Sequence, residues 1–415
     1  MCRWEFLYQS FRRQPAMYLE KLSLHNYRGI RDMEIEFDRH LNVFVGDNGC
    51  GKSTIFDAIR KCLDGARLNH VAGTDRVSLE DDLLIPPHDI NKRAISAFGE
   101  LIFLRKRKRV AVNLSSEPGQ IGSSLKDQFK RVDILGALIF PAGRDKVNAS
   151  SYSFLIKEDF GGIQSEAFRW IKEQEDLENA QFRWHLDDGK SLESFVQNQD
   201  LKAVKKAVAQ ITGFSRITYN NKFMAFEIVK TAGSENVVFE MDRLSLGEQV
   251  FISLVTTIAC EVVKYSNEDE DLLDSELLII IDEIDLHLHP KWQRRIVPAL
   301  RETFPNCQFI ITTHSPQVLS EVPAENIFSL YRDENGDIQY EKPERSRGLS
   351  SSDILDEVMD LPQLPPKLEA LTDKVYDLIE EEEFEKAKQI LTDIENEYGE
   401  IPALIKARTY LKLSE

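Results

Sequence analysis

The sequence predicts an α/β fold: a parallel-sheet core with helices, joined to a mixed or antiparallel β lobe and extended by helical segments. Three observations predict it. The apolar run Leu41-Asn42-Val43-Phe44-Val45 leads into Gly46-Asp47-Asn48-Gly49-Cys50-Gly51-Lys52-Ser53-Thr54 and then into the helix-patterned stretch 55–60. Strand, glycine loop and helix start are the context in which GxxxxGK[ST] forms a phosphate cradle. A second apolar run, Leu277-Leu278-Ile279-Ile280-Ile281, ends in Asp282-Glu283; unbroken runs of this kind are what central parallel strands look like. A third, Cys307-Gln308-Phe309-Ile310-Ile311, runs into Thr312-Thr313-His314-Ser315. Parallel sheets bind ligands at the carboxyl ends of their strands, where all three motifs fall.

Taken in order, residues 1–17 read as an N-terminal extension. They hold Arg3, Arg12 and Arg13 around Trp4, Phe6, Leu7 and Tyr8 but lack the sustained apolar core of a signal peptide. Residues 18–24 and 33–37 alternate as strands, with Asn26-Tyr27-Arg28-Gly29 between them. Arg105-Lys106-Arg107-Lys108-Arg109 lies between apolar runs and predicts a hairpin with a charged tip, which is either a solvated surface or a contact for nucleic acid or an acidic partner. Residues 134–140 read as a strand, and a helical insertion is expected at about 164–213, with Phe168, Ile171, Leu177, Leu201, Val204, Val208 and Ile211 at helical spacing. Strands return at 223–230 and 236–241. Segments 326–330 and 338–340 flank Asn335-Gly336, a hairpin signal. The main domain is expected to span 18–345. Ser350-Ser351-Ser352 with Pro362, Pro365 and Pro366 predicts a linker over 346–366, and 367–415 reads as a small unit like a helical hairpin.

Composition narrows the function classes. With 415 residues, 42% hydrophobic and 29% charged, the chain has the make-up of a globular protein. No uninterrupted apolar run approaches the ~18 residues that cross a bilayer, so no membrane role is expected. Five scattered cysteines without a CxxC pair suit free thiols in a reducing cytoplasm. The formal charge of −18 argues against a surface that is basic throughout, though not against a local basic patch.

The motifs carry a definite chemistry. Glycines let successive backbone N–H groups converge on an anion, and the helix N-terminus adds favourable potential. Lys52 is expected to reach the β- and γ-phosphates of a nucleoside triphosphate, and the Ser53 hydroxyl to ligate Mg²⁺. Asp282 suits Mg²⁺ binding, usually through water, and Glu283 suits orienting or deprotonating an attacking water. His314, on a third strand end, is the candidate γ-phosphate contact. In Leu244-Ser245-Leu246-Gly247-Glu248-Gln249, Ser245 and Glu248 have capping-box spacing at the start of a helix reaching about Tyr265. That start either simply opens a helix or presents the Ser245 hydroxyl and Gly247 N–H to a phosphate.

These four motifs, in this order, resemble the ABC-type ATPases of the RecF, SMC and overcoming-lysogenisation-defect group. The likeness covers 18–66 and 241–330 well and the middle poorly. Residues Leu22 to Gly29 look like the opening strand and "N-F-R" turn, with Tyr27 for Phe; residues 244–249 look like the signature motif; Ile281-Asp282-Glu283-Ile284-Asp285-Leu286-His287-Leu288-His289-Pro290 looks like Walker B plus D-loop; His314 looks like the switch histidine. The resemblance implies ATP and Mg²⁺ as cofactors and a homodimer or higher homo-oligomer with composite ATP sites. In it, Ser245, Gly247 and Glu248 of one subunit complete the site of another, Asp285 lies at the interface and Arg28 approaches the nucleotide. No Q-loop glutamine is evident between Lys52 and Ser245.

The stretch of about 190 residues between Lys52 and Ser245 lacks the sustained heptads of a long coiled coil, and no toprim or HNH nuclease pattern follows. What remains is similar to the compact bacterial ATP-binding proteins described as involved in virulence, and among them to the PtuA ATPases of Septu and some retrons. That likeness implies a cytoplasmic ATPase acting as sensor and regulator of a separate HNH nuclease in anti-phage defence. Two alternatives stay open: a RecF-like DNA-repair ATPase that binds DNA, and a nucleotide-gated oligomeric scaffold with little turnover.

Overall fold

The computed structural model describes residues 17–71, 98–105, 108–115, 137–140, 166–232, 235–266, 271–361, 364–399 and 401–414. Residues 1–16 of the extension expected at 1–17, the tip of the basic hairpin (106–107) and part of the acidic stretch before the second motif (269–270) lie outside them. By backbone contacts the chain forms two compact units, Met1–Gly348 and Leu349–Glu415.

In the first unit the strands are β1 (Met17–Tyr27), β2 (Ile30–Glu36), β3 (Leu41–Val45), β4 (Phe98–Arg105), β5 (Lys108–Ser115), β6 (Ala137–Phe140), β7 (Arg216–Asn220), β8 (Ala225–Ala232), β9 (Glu235–Glu240), β10 (Leu278–Ile281), β11 (Gln308–Thr312), β12 (Ile327–Arg332) and β13 (Ile338–Glu341). The helices are α1 (Lys52–Val71), α2 (Glu166–Asp187), α3 (Gln199–Thr212), α4 (Leu246–Lys264), α5 (Pro290–Thr303) and the single turn α6 (Pro316–Leu319).

Three sheets result. The largest runs β13-β12-β3-β11-β10-β6 and is parallel except for the β12–β13 hairpin. Its strands β3, β10 and β11 are buried at every position, which explains why they read as unbroken apolar runs rather than alternating ones. The antiparallel sheet β2-β1-β4-β5 is the β lobe. There β2 alternates exposed and buried from Asp32 to Glu36, as a strand with one wet face does. A smaller antiparallel sheet, β7-β8-β9, precedes the signature-like motif.

Gln308, wholly buried at the start of β11, joins two of these sheets. Its side chain accepts from Leu19 N at 2.7 Å and donates to Leu19 O at 2.9 Å and Asp38 O at 2.8 Å. The contact lies where the β1–β4 register shifts between Leu19 and Lys21, so a side-chain amide supplies partners that the irregular ladder leaves over. One core fills the space between lobe, α1 and main sheet: Leu22, Leu24, Tyr27, Ile35, Ile55, Phe56, Ile59, Ile280, Ile310 and Phe328 belong to it. Phe44 stacks on Phe328 with centroids 4.9 Å apart, so truncating either ring costs about 3–5 kcal/mol.

Helix α4 is buried at every residue from Val250 to Val263. It is long and apolar enough to pass as a membrane span, yet 72% of its most apolar window is covered by protein; an all-round apolar helix of this kind is a core helix.

The expected helical insertion is two helices, α2 and α3. Gly189, with φ +73°, follows the end of α2, and Asn198 N-caps α3 by accepting from Leu201 N.

The stretch 346–366, expected as a linker, spans the boundary between the units and contains helix α7 (Ser351–Glu357) at the start of the second. Ser350 carries a capping box with Asp353 and so starts a helix just after the boundary between the two units at Gly348–Leu349. Beyond it stand three helices, where a hairpin would have two: α8 (Pro366–Glu380), α9 (Phe384–Tyr398) and α10 (Pro402–Ser414). They share a core that includes Leu368, Val375, Ile379, Leu391, Ile394, Leu404 and Leu411.

Candidate nucleotide-binding site

Strand β11 lies between β3 and β10, all parallel, with Phe44 level with Thr312 and Ile281 level with Ile311. The glycine loop, the acid pair and the histidine segment therefore leave the same edge of one sheet, within about two strand spacings of ~4.8 Å. Direct bonds tie them together. Thr313 N donates to Phe44 O at 3.1 Å, just before the loop. The Thr312 hydroxyl donates to Asp282 Oδ1 at 2.5 Å and accepts from Glu283 N at 2.6 Å. The Thr313 hydroxyl donates to Asp285 Oδ1 at 2.5 Å, and His314 N donates to the same oxygen at 3.2 Å.

Within the loop, Gly46, Gly49 and Gly51 take positive φ, the αL-side geometry that lets consecutive N–H groups face one concavity. Gly46 is also closed in from outside: a Cβ there would stand 2.3 Å from Leu330 O. Asp47, Asn48 and Gly49 are exposed, whereas Cys50 is buried. Lys52 is buried and donates to Gly46 O at 2.8 Å and Asp47 O at 2.9 Å, with Cys50 Sγ at 3.8 Å. Ser53 is exposed and Thr54 half-buried in the first turn of α1.

Glu283 adopts φ +50° and His287 φ +65°, left-handed conformations that cost a non-glycine residue about 1–3 kcal/mol and gather at functional sites. The bond from Glu283 N to Thr312 holds the first of them. Asp285, expected at a subunit interface, is bonded within its own chain by Thr313 and His314.

The residues available to a divalent cation are Ser53, with an exposed hydroxyl, and Asp282, whose Oδ1 is fixed by Thr312. No group of three or more His, Cys, Asp or Glu side chains lies together among the described residues. An oxygen-only set of one or two protein ligands fits Mg²⁺, which keeps most of its waters and takes the remainder from phosphates.

The signature-like motif starts α4 with a complete capping box: Ser245 accepts from Glu248 N, while Glu248 Oε2 accepts from Ser245 N at 2.9 Å and Ser245 Oγ at 2.8 Å. Gly247 abuts the D-loop-like turn so closely that a Cβ would lie 2.2 Å from His287 O. Only glycine fits there.

Arg28, which the resemblance would bring to the nucleotide, pairs with the helix that follows the glycine loop. With φ +50° in the β1–β2 turn, its guanidinium pairs with Asp57 Oδ2 at 2.8 Å on α1. The Tyr27 hydroxyl donates to the same oxygen at 2.9 Å, and Arg60 and Lys61 also face this carboxylate. Burial alone would raise the Asp57 pKa, but the Arg60 hydrogen bond and the charges of Arg28 and Lys61 outweigh it and hold the group below its ordinary value.

Sequence reading missed Arg332 and Thr312. Arg332, leaving β12, donates to Gly49 O at 2.7 Å and Gly336 O at 2.8 Å, bracing the loop from outside. No local pattern marks it, because Gly49 lies 283 residues away. Thr312 had a signal, its place between an apolar strand and His314.

A protein-family model described as an AAA domain matches residues 21–237 of the 415, just over half of the chain. The chain belongs to the AAA domain family. Among its relatives, the "Retron Ec83 probable ATPase" of Escherichia coli is 26% identical, over 87% of this chain and 78% of the relative. The "Septu protein PtuA" of Bacillus thuringiensis is 25% identical, over 88% and 91%. A solved SMC head bound to the C-winged helix domain of ScpA is 18% identical over 78% of this chain, with a TM-score of 0.44. This AAA domain protein is similar over most of its length to the retron and PtuA ATPases.

Proposed function

We propose that this protein binds and hydrolyses ATP in the cytoplasm, and that it senses a phage-related signal and regulates a partner nuclease. One observation carries the ATPase reading: the Phe44–Thr313, Thr312–Asp282 and Thr312–Glu283 bonds hold the loop strand, the acid pair and the histidine segment as one edge. Likeness to retron and Septu ATPases supports the defence role and, with it, an HNH nuclease of the PtuB kind as partner.

In this reading the loop N–H groups and Lys52 bind the β- and γ-phosphates, with Gly46, Asp47, Asn48, Gly49, Cys50, Gly51, Ser53 and Thr54 as the cradle. Glu283, its backbone fixed by Thr312, orients water for in-line attack and accepts its proton. His314 donates to the γ-phosphate as charge develops there. Ser245 and Gly247, at the N-terminus of α4, meet the γ-phosphate of a second copy, with Glu248 ordering the cap. Mg²⁺, held by Ser53 and Asp282, would neutralise charge on the β- and γ-phosphate oxygens.

ATP turnover by the parent and Glu283→Gln tests the reading. A measurable rate that falls at least ~100-fold in the variant supports hydrolysis. Equal, near-zero rates in both would favour the nucleotide-gated scaffold. Turnover that rises with DNA and collapses with salt would favour the RecF-like alternative. Co-purification of an HNH protein tests the partner.

A further inference from the structure

We infer that Lys230 is a positioning residue of the signature element, keeping Glu248 from opposing the γ-phosphate and weakening its hold on the Ser245 hydroxyl so that the phosphate can take it. The inference rests on the reading above, in which Ser245 meets phosphate.

The problem it solves is visible in the capping box. A serine hydroxyl carries one proton, and Ser245 gives it to Glu248 Oε2 at 2.8 Å. The same proton cannot serve a phosphate at the same time. Moreover, Glu248 places a full negative charge in the first turn of the helix that is to receive an anion, where unlike charges attract and like charges repel.

Lys230 answers both points. It comes from β8, level with Val237 of β9, and its ammonium donates to Glu248 Oε1, the oxygen Ser245 does not use. The ammonium also lies 5.3 Å from the centroid of the Phe214 ring and 4.9 Å from that of Phe239. A cation held against two aromatic faces has a fixed place. The Lys230 and Glu248 side chains are half-buried, 30% and 15% exposed, so salt screens the pair only in part. Burial alone would raise the Glu248 pKa; the Lys230 bond and the Ser245 N–H and hydroxyl hold it low instead. The carboxylate therefore stays ionised and neutralised by a neighbour. Sharing it with Lys230 weakens its hold on the Ser245 proton, which a phosphate oxygen can then take.

The test compares affinities for a non-hydrolysable ATP analogue and for ADP, which lacks the γ-phosphate, in the parent, Lys230→Met, Lys230→Arg and the double variant Lys230→Met/Glu248→Gln. Removing the ammonium leaves one unpaired charge near the γ-phosphate, so Lys230→Met should lose about tenfold in analogue affinity and stay within about twofold for ADP. Lys230→Arg should match the parent. The double variant, with neither charge, should recover to within about twofold. Analogue affinity unchanged in Lys230→Met, or no recovery in the double variant, overturns the inference. A merely structural Lys230 would weaken both nucleotides together and would not be rescued by Glu248→Gln. Lys52→Ala separates the two levels: if it binds both nucleotides like the parent, the ATPase reading itself fails.

Discussion

The hydroxyl of Thr312 is bonded to Asp282 at 2.5 Å, and the same oxygen receives the backbone N–H of Glu283 at 2.6 Å. One buried threonine thus sets the two acids proposed to act on metal and water. Thr312→Val keeps the shape and removes both bonds. It should cost about 1–3 kcal/mol of stability and lower kcat by about 10- to 100-fold through misplacement of Glu283, with KM for ATP changed less than kcat. Steady-state kinetics beside a thermal melt check this; a parent-like kcat would remove Thr312 from the account.

The glycine loop makes a graded prediction. At Gly46, with φ +142°, a Cβ meets a backbone carbonyl, Leu330 O, at 2.3 Å; at Gly49, with φ +82°, nothing lies within 4 Å. Gly46→Ala should cost about 3 kcal/mol or more and abolish nucleotide binding. Gly49→Ala should cost about 1–2 kcal/mol, the price of the left-handed backbone alone. Melting temperatures and nucleotide titrations of the pair give the order.

Arg332 spans Gly49 O and Gly336 O with a planar fork that lysine cannot reproduce. Arg332→Lys and Arg332→Ala should both weaken nucleotide binding by about three- to tenfold, the equivalent of losing one hydrogen bond worth about 0.7–1.4 kcal/mol. Competition with a labelled nucleotide reads the change.

Asp57 links stability to pH. Its folded pKa lies below the unfolded value of about 3.9, so its contribution is fully present above that value and is lost as pH falls through the folded one. Asp57→Asn leaves Arg28 and Arg60 without their carboxylate. The melting-temperature gap between parent and variant should be largest near neutral pH and close below about pH 4. A gap that widens in acid would contradict the sign.

The strand–loop–helix, the acid pair and the histidine segment were legible because each is a local pattern: an apolar run, then residues with restricted chemistry. The Asn335-Gly336 turn was legible for the same reason, and Gly336 takes φ +78°. What escaped is long-range. Arg332 on Gly49, Lys230 on Glu248 and Arg28 on Asp57 pair residues whose types alone name no partner. The short helix inside the 346–366 stretch went unread because turn-forming residues and helix caps share a composition; Asp353 three positions after Ser350 was the discriminating mark.

The most direct measurement is an experimental structure of the Glu283→Gln variant with Mg²⁺ and ATP. The account predicts a γ-phosphate within hydrogen-bond reach of Lys52 and His314 of one subunit and of Ser245 of another. ATP bound away from the ends of β3, β10 and β11, or a γ-phosphate that touches none of these three side chains, would contradict it.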